Sequence, residues 1–132
     1  MPRYVIDPGV GLYLAERKVV VREEHRLLAP TLFRSQVLSL LYRAAREGKI
    51  TKKEADRRLT YLRSLRMRLL GDRVLQEVAW KIADELGWPD TLDAEYLALT
   101  QLQADAFVTL DDGLARAAAG IVATAPVEAL LQ

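Results

Sequence analysis

The sequence contains no cysteine, which excludes thiol catalysis, disulfide bridges and cysteine-type zinc sites. Its one histidine, His25, lies in a polar stretch beside Glu23 and Glu24, the setting of a surface residue rather than a catalyst. No apolar run approaches the roughly 18 residues that a membrane helix needs, so no membrane partner is expected. The N-terminus lacks the basic region, apolar block and small-residue cleavage site of a secretory signal. A cytoplasmic protein is therefore the default expectation. Internal repeats, low-complexity tracts and interdomain linkers are also lacking, so residues 1–132 read as one domain.

What is present suits that domain. Hydrophobic residues make up 51% of the 132 and charged residues 28%, a soluble-globular composition long enough to bury a core. The net charge is only +1, but it is unevenly spread. Residues 43–73 hold eleven Lys/Arg against four Asp/Glu, a balance of +7, while residues 74–132 hold two against ten, a balance of −8. A basic middle beside an acidic C-terminal half suggests one surface that tracks a polyanion and another that holds cations. Long helices carrying solvated charge would give the same asymmetry.

Local patterns alternate strand-like and helical runs. Residues 3–6 read as a short buried strand ending at Asp7, and Pro8 fits the first helical position, where its missing N–H costs nothing. Val19 to Val21 is strand-like but too short to decide. Leu27 to Ala29 is a strand candidate closed by Pro30. Apolar residues from Leu32 to Ala44 recur on one helical face, with Thr31 as the expected N-cap and Gly48 as the stop. Thr51 and Glu54 form a capping-box pattern opening a helix expected to run through Leu65 and Leu69 to Gly71. Another helix is expected from Asp72 to Gly87, and one more after the Trp88-Pro89 turn, capped by Asp90 or Thr91. Residues 106–110 read as a buried strand, 112–119 as a helix, 121–123 as a last strand, and Pro126 onward as a short terminal helix. Short buried strands separated by helices imply an α/β fold with a parallel sheet covered on both faces.

In such folds ligands collect at the carboxyl ends of the strands, and there the chemistry-bearing residues fall. Asp7 follows Tyr-Val-Ile, Asp111 follows Phe-Val-Thr-Leu, and Asp93 heads the helix that leads into the second of these strands. A fourth junction, after Pro30, carries Gln36. Each aspartate has a purely structural use as a helix cap or as an acid at a positive helix end. Taken together they would make an acidic pocket for a hard cation such as Mg²⁺ or Mn²⁺.

These segments resemble the PIN-domain ribonucleases, and especially the VapC-like toxins of toxin–antitoxin pairs, over nearly the full length. Tyr-Val-Ile-Asp7 resembles the family's opening strand with its first acid. Leu-Leu-Ala-Pro30-Thr-Leu-Phe-Arg-Ser-Gln36 resembles the second segment, which normally bears glutamate at the Gln36 position. Thr91-Leu-Asp93 and Phe-Val-Thr109-Leu-Asp111-Asp-Gly resemble the third and fourth. The resemblance implies a PIN-like three-layer α/β/α fold around a central parallel sheet. It also implies Mg²⁺- or Mn²⁺-dependent cleavage of RNA, with Asp7, Asp93 and Asp111 as catalytic metal-binding acids. Thr109 would support them, and Gln36 and Asp112 would be additional ligands. Homodimerisation and inhibition by a small antitoxin protein are implied too, as is a basic helical clip over residues 43–73 that grips RNA phosphates. Gln36 is the departure, because a neutral amide brings no negative charge to the pocket. The alternative is a catalytically degenerate PIN fold that binds RNA or a partner protein without cutting. A phosphate-accepting receiver domain fits less well, since no lysine follows the strand expected at 121–123.

Overall fold

Val5, Ile6, Ala29, Phe107 and Val108 are fully buried, and Leu27 and Leu28 nearly so. Strands this apolar on both faces belong in a sheet covered by helices. In the computed structural model, which describes residues 1–131, five strands form one all-parallel sheet in the order β3-β2-β1-β4-β5. The strands are β1 (Arg3–Ile6), β2 (Arg26–Pro30), β3 (Met67–Leu70), β4 (Ala106–Val108) and β5 (Thr124–Ala125). Six helices connect them: α1 (Pro8–Arg17), α2 (Phe33–Arg46), α3 (Lys52–Ser64), α4 (Arg73–Leu86), α5 (Leu92–Gln103) and α6 (Asp112–Ala119). The segment Val127–Leu130 closes the described chain as a 3₁₀ turn.

The chain moves outward from β1 through β2 to β3, then returns across the sheet to β4 and β5. Parallel crossovers are right-handed, so this reversal puts α1, α2 and α3 on one face and α4, α5 and α6 on the other. Contacts agree: α1, α2 and α3 pack on one another, while α5 lies on β1, β2 and β4 with α4 against it. The result is a three-layer α/β/α domain. The reversal also creates a switch point between β1 and β4, at whose carboxyl edge open α/β sheets form crevices.

Several local expectations hold. Asp7 caps α1 by accepting from Val10 N–H at 3.0 Å, with Pro8 at the first helical position. Asp72 caps α4, and Gly87 ends it in the left-handed region at φ 69°, which glycine adopts without the penalty of a Cβ.

Others need correction. Thr31 does not cap α2; Leu32 takes that position and no side chain bonds the first turn. Thr51 caps α3, but Glu54 does not complete a capping box, because its carboxylate is turned to Arg57 and Arg58. The helix expected to continue to Gly71 stops at Ser64, and Met67–Leu70 forms β3 instead. Leu65 and Leu69 fit a helical spacing, yet an extended segment there pairs with β2 along Leu27–Pro30 and satisfies backbone groups that would otherwise be an open edge. The last strand is Thr124–Ala125 rather than residues 121–123. Ile121 and Val122 both donate their N–H groups to Ala118 O, which folds them into the turn that ends α6. Val19 to Val21 joins no strand.

Candidate metal centre at the carboxyl edge of the sheet

The topology brings all four junction residues to the same edge. Asp7 leaves the carboxyl end of β1, and Thr109 and Asp111 leave that of the neighbouring β4. Helix α5 runs back across the sheet before β4, so its first turn, with Asp93, lies at this edge too. Gln36 stands in the first turn of α2, which follows the carboxyl end of β2.

Asp7 is the most enclosed of the acids, with 8% of its surface exposed. Its Oδ1 accepts from Val10 N–H, and its Oδ2 accepts from the Thr109 hydroxyl at 2.5 Å. Thr109 Oγ1 in turn accepts from Asp111 N–H at 3.1 Å, so one hydroxyl bridges the two strand ends. Asp111 caps α6 through Leu114 N–H at 2.9 Å. A Cβ on Gly113 would come within 3.3 Å of Asp111 Oδ1, so glycine keeps that carboxylate uncrowded.

The electrostatics bind the acids into one group. Burial pushes the Asp7 carboxyl above the usual carboxylate range; the bonds from Thr109 and Val10 pull it back in part, and the charges of Asp93 and Asp111 raise it further. Asp93 is raised by loss of water, then by Asp90 and Asp111. Each of the three acids thus lies within the field of another, and Asp111 acts on both of the others. Asp112, exposed at the first helical position of α6, is not among the charges acting on Asp7 or Asp93. The six ion pairs of the described residues all lie elsewhere, so no lysine or arginine neutralises this group.

One site residue was not visible in the sequence. Tyr96 reads there as an apolar position of α5, and it is 99% buried, yet its hydroxyl donates to Gln36 Oε1 at 2.5 Å. Burial, followed by the charges of Asp7, Glu95 and Asp93, holds the phenol protonated. Tyr96 therefore ties the glutamine to the acid cluster. The sequence signal was the lone aromatic hydroxyl three residues after Asp93 on a helical face.

Among the described residues, no three acidic or imidazole side chains are close enough to hold one ion directly. Mg²⁺ needs no such cage: it commonly binds through one or two carboxylates and keeps several waters. Oxygen donors in mutual repulsion, without a cationic partner, fit that water-rich mode of binding. The basic block is divided by the fold. Arg57 and Arg58 are paired with Glu54, and Lys52 with Asp56, so these side chains are already engaged. Arg57 also donates to Ala15 O at the end of α1.

Residues 6–120 match the family model described as PIN domain. Among curated proteins none matches. Of solved structures, PAE2754 from Pyrobaculum aerophilum superposes with a TM-score of 0.77 at 26% identity, covering 98% of this chain and 93% of that one. VapBC-1 from nontypeable Haemophilus influenzae superposes with a TM-score of 0.64 at 16% identity, covering 96% and 98%. At that identity the second likeness speaks for the fold alone. No helix of the described residues is long and apolar enough to cross a membrane.

Proposed function

This chain belongs to the PIN domain family, and from that premise we propose that it is a single-domain, metal-dependent endoribonuclease of the VapC-like type. The observation that carries the reading is the coupled, uncompensated group of Asp7, Asp93 and Asp111 at the switch point of the sheet. Burial and neighbouring acids raise the pKa of Asp7 and of Asp93, with Asp111 acting on both; that repulsion costs stability, and a bound divalent cation would remove the cost. Asp7, Asp93 and Asp111 would hold Mg²⁺ or Mn²⁺ between them, one or two carboxylates directly and the rest through its bound waters. When bound, such an ion neutralises charge building on a phosphodiester and makes water more acidic.

The chain's own residues supply positioning. Thr109 fixes the Asp7 carboxylate by its hydroxyl and reaches Asp111 through the backbone. Asp112 and the Gln36 amide stand by as further oxygen donors to the ion or its waters. The VapC-like reading also carries a small antitoxin protein as inhibitor, a homodimer as the working form and the cytoplasm as its place.

The test is cleavage of RNA by the purified protein with Mn²⁺. Cutting that is lost on Asp93→Asn is the expected result; cutting that survives the substitution rejects the reading. A second reading, an RNA-binding PIN fold without cleavage, is favoured by the capture of Gln36 Oε1 by Tyr96. It predicts RNA binding with no metal-dependent cutting by the wild-type protein.

A further inference from the structure

At the opposite, amino-terminal edge of the sheet the strands begin with arginines side by side. Arg3 of β1 is the register partner of Arg26 of β2. Leu27 of β2 is the partner of Met67 of β3, which puts Arg66, the residue before Met67, in line with Arg26. Arg68 follows two residues on, opposite Leu28, and so projects to the same face as Arg66. Neighbouring strands lie about 4.8 Å apart, and like charges directly opposite one another destabilise a sheet.

Among the described residues no ion pair offsets this row; one carboxylate stands at its end, Asp105, whose Oδ2 accepts from the Arg3 backbone N–H at 2.8 Å. Arg3 donates to Gln103 O at 3.3 Å, a neutral carbonyl, and Arg26 meets the Met1 thioether at 3.6 Å. None of the four forms an ion pair with a carboxylate among the described residues. All four line an open groove of about 1000 Å³. Two acids, Glu23 and Glu24, line it as well, but Glu24 is held by Arg22, and the arginines outnumber them. The His25 ring also lines the groove and rests against Tyr4 at 5.5 Å between centroids.

We infer that this groove is a binding site for the phosphate backbone of single-stranded RNA, separate from the acid cluster. Arginine suits phosphate because its planar fork donates two parallel hydrogen bonds. A positively charged groove that includes a flat ring is the pattern by which single strands are held, with phosphates on cations and bases on ring faces. Asp7 stands four positions beyond Arg3, roughly 13 Å along the strand, so a bound strand would contact this edge without occupying the metal centre. The site needs neither a metal ion nor a cleavage step, and it stands or falls apart from the nuclease reading.

The test is fluorescence anisotropy with a labelled twelve-nucleotide oligouridylate in EDTA, across a series of salt concentrations. Arg26→Ser/Arg66→Ser should weaken binding at least tenfold and make the salt slope shallower by about 1.4, from two lost phosphate contacts at about 0.7 each. The same double variant should melt no lower than wild type, because it relieves a like-charge row. Arg43→Ser/Arg46→Ser, which removes two cations of the same basic block from α2, should weaken binding less than threefold. Unchanged affinity in Arg26→Ser/Arg66→Ser would overturn the inference. So would equal losses in the two double variants, or binding of polyglutamate in place of the oligonucleotide. Mn²⁺-dependent cleavage by the wild type with groove-dependent binding in EDTA would uphold both proposals; absent cleavage in the wild type with groove-dependent binding would uphold this one alone.

Discussion

The hydroxyl of Tyr96, buried in α5, donates to Oε1 of Gln36 in α2 at 2.5 Å, joining two helices from opposite faces of the sheet at its carboxyl edge. The bond occupies one lone pair of the amide oxygen through which glutamine could meet a cation. It also explains how a neutral side chain is tolerated beside a group of acids: the amide has a neutral, protonated donor to satisfy it. Tyr96→Phe removes that donor and leaves Oε1 partly buried and unpaired. A stability loss of about 1 kcal/mol is expected, measured by urea denaturation. A variant as stable as wild type would mean that water replaces the phenol without cost.

Gln36→Glu should act in opposite directions with and without metal. The phenol can still donate to a carboxylate, but a fourth negative charge joins a site where Asp7 and Asp93 already act on Tyr96. Without metal the variant should melt below wild type at neutral pH; with Mn²⁺ it should bind at least tenfold more tightly. Equal Mn²⁺ affinities in calorimetry would place residue 36 outside the shell of the ion.

Asp7 should trade stability for function. Its folded pKa is raised, chiefly by burial, so the native state holds the proton more tightly than the unfolded chain does. The stabilisation that protonation brings is full below the unfolded value of 3.8 and is lost as pH rises through the folded value. Asn is as good an N-cap as Asp and carries no charge. In EDTA, Asp7→Asn should therefore melt above wild type at pH 7, with the difference shrinking as pH falls toward 4. A gap that widens on acidification would reverse the sign assigned to burial.

Gly11 tests the packing of α1 against its layer. Alanine in a helix interior gains about 1 kcal/mol over glycine, but here its Cβ would stand 2.7 Å from Phe33 Cζ and 3.4 Å from Leu62 Cδ2. Phe33 is 1% exposed and has little room to yield, and overpacking of this kind costs about 1–3 kcal/mol. Gly11→Ala should thus be destabilised by about 1 kcal/mol or more in denaturant titration; a gain would show that the ring moves freely.

The residues that read correctly in the sequence are those whose local chemistry agrees with their place in the fold. Asp7-Pro8, Asp72, Gly87 and Asp111 cap or end their helices through bonds spanning a few residues, and short apolar runs marked β1, β2 and β4. Strand β3 did not read correctly, because Leu65 and Leu69 keep a helical interval and only the pairing with β2, forty residues away, selects the extended form. The same holds at the site. The acids stood out as charges at strand and helix junctions, while Tyr96 looked like core, since its bond to Gln36 spans sixty residues. The arginine row also depends on register across three strands, which no local pattern carries.

The most direct test of the metal centre is Mn²⁺ binding followed by electron paramagnetic resonance at neutral pH. The wild-type protein should remove free Mn²⁺ from solution, and Asp7→Asn, Asp93→Asn and Asp111→Asn should each weaken that uptake at least tenfold. Uptake undiminished in all three variants would contradict a cation site built from these acids.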